Sequence, residues 1–126
     1  MYNELRSFIL ADSAVATLIG TRMYPNTLPQ NPAFPAVTYQ PVSAVRTSTL
    51  RHADNLPMVR VQIDAWSKNV GQAREVANAI RALFHYYNWG IAGVQRVKAD
   101  DQREDYEPDT LLHRVSTDYL VHYAEN

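Results

Sequence analysis

Apolar residues recur at helical spacing from Tyr2 to Ile19, through Leu5, Phe8, Ile9, Val15, Leu18 and Ile19, and Asp12-Ser13 interrupts the run. The pattern predicts two short helices. Asp12 is placed to cap the second, because its carboxylate can accept first-turn N–H groups that have no partner within the helix. Gly20 supplies the stop, since glycine accepts the left-handed geometry common at helix C-termini. Five prolines, Pro25, Pro29, Pro32, Pro35 and Pro41, then fall between Tyr24 and Pro41. Each lacks an amide donor and fixes its own φ, so this stretch reads as loop. One strand candidate lies within it, Ala36 to Val42, where Val37 and Tyr39 alternate with Thr38 and Gln40.

The clearest strand runs from Met58 to Trp66, with Val59, Val61, Ile63 and Ala65 on one face and Arg60, Gln62 and Asp64 on the other. Asn69 can cap a helix from about Val70 to Tyr86, whose apolar stripe is Val70, Ala73, Val76, Ala77, Ile80, Leu83 and Phe84. Gly90 and Gly93 mark a turn, and Val94 to Ala99 is a third short strand with irregular alternation. Leu112 to Tyr123 is a fourth, carrying Val115, Thr117, Tyr119, Val121 and Tyr123 on its core face against Arg114, Ser116, Asp118 and His122. Two segments are left as long connections: Ser43 to Pro57, with Arg46, Arg51, His52 and Asp54, and the acidic Asp100 to Asp109, with Tyr106 at its centre. The order helix, helix, strand, strand, helix, strand, strand describes an α+β fold: a single four-stranded sheet, mostly antiparallel or mixed, with helices packed on one face.

At 126 residues the chain fits one compact domain spanning 1–126. A net charge of −1 provides no basic excess for non-specific nucleic-acid binding. The absence of cysteine excludes disulfides, thiolate metal sites and cysteine nucleophiles. The N-terminus lacks the basic start and apolar core of a signal peptide, and no apolar run approaches the roughly 20 residues that span a bilayer. These features lead to the expectation of a protein that stays in the cytoplasm, away from membranes.

Candidate chemistry is sparse. The carboxylates of 100–109 could attract a hard divalent cation, but the glycine that a calcium loop needs for its sharp turn is missing. His52, His85, His113 and His122 are scattered, and no Ser-His-Asp order or nucleophile elbow accompanies them. Glycines at 20, 71, 90 and 93 do not form a phosphate-cradling loop. Arg46 and Arg51 could touch DNA phosphates if their loop lined a channel. Tyr86, Tyr87 and Trp89 form an aromatic cluster suited to a core or an interface.

Several segments, in order, resemble the phage tail-completion family that includes the siphophage and lambda-like tail terminators. Phe8-Ile9-Leu10-Ala11-Asp12-Ser13-Ala14-Val15, Leu18-Ile19-Gly20 and Arg22-Met23-Tyr24-Pro25 look like its opening. Phe34 to Gln40 resembles its first strand and Val59 to Trp66 its second, while Asp105 to Thr110 with Arg114 to Tyr119 echoes its last segment. The resemblance implies a subunit of a ring, commonly a hexamer, that caps the head-proximal end of the tail tube. Its implied partners are further copies of itself, the tail tube protein and head–tail connector proteins, with DNA passing through the lumen. It implies no catalytic residues, no metal and no cofactor, and a place in the host cytoplasm during assembly and then in the virion tail.

A closed ring needs two complementary patches on each subunit. The basic segment with Arg46, Arg51, His52 and Asp54 and the acidic one with Arg103, Glu104, Asp105 and Tyr106 are the candidate contacts. The alternative is a small enzyme or metal-binding domain built on the 100–109 loop and His113.

Overall fold

A computed structural model describes residues 2–45, 58–85, 91 and 93–123. Helix α1 (Tyr2–Leu10) and helix α2 (Ser13–Ile19) follow the expected periodicity. Asp12 caps α2 by accepting from the Val15 amide at 3.1 Å, and Gly20 ends it at φ +61° with its amide donating to Ala16. A seven-residue helix cannot persist alone in water. What holds α2 is burial of Val15 and Ile19, both inaccessible to solvent. Each such side chain contributes ~1.5–3 kcal/mol, more than the cap.

The sheet has five strands rather than four: β1 (Met23–Pro25), β2 (Ala36–Val45), β3 (Met58–Ser67), β4 (Val94–Glu107) and β5 (Leu112–Tyr123), in spatial order β1-β2-β3-β5-β4. Strand β1 is parallel to β2 and the other pairings are antiparallel, so the chain order becomes α-α-β-β-β-α-β-β. Proline-rich sequence concealed β1, which pairs at Met23, Tyr24 and Pro25 alone. Two arginines fasten it to the helices and to β2. Arg6 Nε donates to the Met23 carbonyl at 2.9 Å, and Arg22 donates to Pro35 and Leu18. The first part of the expected 43–57 loop belongs to β2, which runs to Val45; Arg46 to Pro57 lie outside the described residues.

Helix α3 (Val70–His85) is capped by Asn69, whose Oδ1 accepts from the Gln72 amide at 3.0 Å. Its stripe of Ala73, Val76, Ala77, Ile80 and Phe84 is buried against β3 and β5. Phe84 stacks on Phe8 of α1 and meets the Tyr119 ring edge-on at 5.3 Å, joining helices and sheet in one apolar layer. Burial pushes the Tyr119 phenol pKa well up.

The largest departure concerns the acidic stretch. Asp100 to Glu107 continue strand β4, and only Pro108 to Leu111 form the turn into β5. Register shifts at Val94/Arg96 and Ala99/Asp101 account for the irregular alternation.

Candidate assembly surface

With all three helices on one side, the other face of β2, β3, β5 and β4 carries polar side chains, as the alternation in β3 and β5 predicts. They are not merely solvated. Arg60 of β3 reaches Asp100 at 2.6 Å and Asp118 of β5 at 3.3 Å. Arg103 of β4 reaches the same Asp118 at 3.3 Å, Asp101 at 3.2 Å and Gln62 at 3.1 Å. The Asp118 side chain is only 10% exposed, and two guanidinium groups supply the counter-charge that so enclosed a carboxylate needs. Both arginines are held above their ordinary pKa, Arg60 first by its bond to Asp100 and Arg103 first by its bond to Asp118. Nearby, Gln62 donates to both oxygens of the buried Asp64, and Trp66 Nε1 donates to the buried Thr38 hydroxyl at 2.9 Å. The Ser116 hydroxyl and Arg114 Nε are buried in this face without a hydrogen-bond partner.

The β4–β5 hairpin extends this face to one end of the molecule. Arg114 lies over the Trp66 ring, 5.4 Å from its centroid, and donates to Asp105 at 2.8 Å. Tyr106 sits 4.7 Å from the His113 ring and is 49% exposed. In the turn, Leu111 is 59% exposed at φ +59°, an unusual backbone for a leucine. On the helix side of the same hairpin, Glu104 takes a two-bond fork from Arg74 of α3, both at 2.8 Å. That fork draws the Glu104 pKa below the usual carboxylate range. Arg81 donates to Gln102 at 3.0 Å.

The sequence candidates thus separate. Arg103 and Asp105 point to the helix-free face, while Glu104 and Tyr106 point to the helix side of the same strand. Arg46, Arg51, His52 and Asp54 lie outside the described residues, as do Tyr86, Tyr87 and Trp89. Residues that sequence reasoning had not assigned to a site, Arg60, Asp118, Arg74 and Arg114, prove to organise the surface. The signal for Arg60, Asp118 and Arg114 was a polar side chain at every second strand position, and for Arg74 only its place off the apolar stripe of α3.

The carboxylates of Asp100, Asp101, Glu104 and Asp105 each face an arginine. Among the described residues no group of three His, Cys, Asp or Glu is placed to hold a metal ion. A groove of about 800 Å³ between α3 and the rim of β4 is lined by Asn78, Arg81, Ala82 and Phe84 of the helix and by residues 96–99 of the strand, and among the described residues its lining includes neither a carboxylate nor a histidine. No helix among the described residues is long and apolar enough to cross a membrane.

Among solved structures the fold is similar to a chain of a virion of a native gene transfer agent particle, with a TM-score of 0.76 at 14% identity, covering 96% of this chain and 92% of that one. No curated protein matches. The family described as "Tail completion protein gp17" matches residues 3–124. The chain therefore belongs to the phage tail completion family, whose members are structural proteins of the tail.

Proposed function

We propose that the protein is the subunit of a ring, a hexamer on assembly, that closes the head-proximal end of the tail tube, ends tube growth and joins the tail to the head. The family match over residues 3–124 carries this reading. Its action is assembly without covalent chemistry, and the geometry is compatible with that: Asp100, Asp101, Glu104 and Asp105 of β4 are each occupied by an arginine instead of converging on a reactive centre. The hairpin end, with Tyr106 and Leu111 exposed beside Asp105, is the proposed contact toward a neighbouring copy, the tube protein or the connector. The basic segment of Arg46, Arg51, His52 and Asp54 is the proposed complementary patch. Light scattering across a concentration series with negative-stain microscopy, alone and with tail tubes, tests the ring. A holed ring, or a cap on tube ends, is expected. Arg46→Glu with Arg51→Glu is expected to abolish it, and unchanged assembly and tail attachment in that variant would remove the basic patch from the proposal.

A further inference from the structure

Strand β4 lies at the rim of the sheet, and among the described residues β5 is its only strand neighbour. Helix α3 sits chiefly over β3 and β5, and among the described residues no second strand pairs with the outer backbone of this 14-residue strand. Rims of that length are commonly blunted by charge, or else paired with another strand. The charges on β4 are arranged unevenly. On the helix-free face the strand carries Arg96 and Lys98 at its start, Asp101 and Arg103 in the middle, and Asp105 and Glu107 at its end. Arg96 and Lys98 make no ion pair among the described residues, and Glu107 takes only the Thr110 hydroxyl at 3.2 Å.

We infer that the rim of β4 pairs with the β4 of a second copy, antiparallel about a two-fold axis through Gln102. The bulge at Ala99/Asp101 matters here, because it adds one residue and so restores the alternation of faces across the centre. With Gln102 opposite Gln102 and the extra residue Asp100 left out of register, Asp101 meets Arg103 of the second copy. Lys98 then meets Asp105, and Arg96 meets Glu107, all on the helix-free face. Every charged pair on that face is of opposite sign, and the two-fold axis repeats each one. A parallel, in-register pairing would instead set each charge against its own kind. Of these two arrangements the antiparallel one is self-complementary, which is why a second copy is the occupant. This pairing uses a single patch on both molecules, whereas the ring needs two different ones; it shares Asp105 with the proposed hairpin-end contact, so a copy paired in this way does not offer that end to the ring.

Light scattering at low salt tests it at the exposed Arg96 and the half-buried Glu107, both outside the apolar core. The wild type is expected to show a species of twice the 14.3 kDa chain mass, weakened by salt. Arg96→Glu is expected to raise its dissociation constant about tenfold or more. Arg96→Glu with Glu107→Arg exchanges the two charges and is expected to restore it, with amide exchange in β4 slowed again. Three results would overturn the inference: a wild type that is monomeric throughout, an Arg96→Glu variant whose mass distribution is unchanged, or a double variant that fails to recover.

Discussion

Glu104 and Gly20 show how single residues act in this fold. The Arg74 fork lowers the Glu104 pKa below the ~4.3 of a free glutamate, so in the window between the two values the unfolded chain binds more protons than the folded one. Stability from this contact is therefore present above pH ~4.3 and is lost as pH falls through the folded value. Urea unfolding between pH 3 and 6 should show a shallower acid loss in Glu104→Gln than in the wild type, and equal slopes would show the fork to be energetically silent. Gly20 acts through its backbone. A Cβ there would find only the end of the Arg22 side chain, at 3.6 Å, so space is not the constraint. The cost of Gly20→Ala comes from φ +61° with ψ −118°, a region that side chains with a Cβ rarely occupy. Unfolding experiments should find it less stable by ~1–3 kcal/mol, with the α2 C-terminus the first part to exchange its amides.

At the scale of elements, the difference between what the chain spells out and what it conceals comes down to how many residues carry each signal. Helix α3 and strands β3 and β5 are long, and their patterns repeat often enough to be read directly. Ile80, 1% exposed, is at the centre of the α3 stripe. Ile80→Ala leaves a cavity between helix and sheet and should lower the unfolding free energy by ~2–5 kcal/mol, whereas the same loss at the half-buried Leu83 should cost less. Strand β1 has three residues and ends on a proline, too little for any periodicity to register. The acidic half of β4 is concealed for another reason. Asp and Glu are poor strand formers, and an unbroken acidic run reads as a solvated loop. Here the strand forms because Arg60, Arg74 and Arg114 come from three other elements to neutralise it. The residues of the candidate surface were thus visible one by one as polar positions, and their grouping was not, since each ion pair joins distant parts of the chain.

For the whole molecule, the question is whether the hairpin end serves the subunit's own stability or its neighbours. Tyr106 distinguishes the two. It is half exposed and touches its own fold mainly through the His113 ring, outside the apolar core. Truncation in the free protein should therefore change stability by no more than ~0.5 kcal/mol, as for most surface substitutions. An aromatic residue enclosed by a partner behaves differently, and its loss commonly costs ~2 kcal/mol or more of binding, about thirtyfold in affinity. Tyr106→Ala should accordingly melt with the wild type yet fail to cap tubes or join heads when it replaces the wild-type protein during tail assembly. Phe84→Ala should do the reverse at the subunit level, destabilising the monomer by ~3–5 kcal/mol because its ring ties α1, α3 and β5 together. A Tyr106→Ala protein that assembles normally would move the contact away from the hairpin end. One that melts early would show that Tyr106 holds up the hairpin itself, and the Asp105–Arg114 pair beside it would then be the next contact to test.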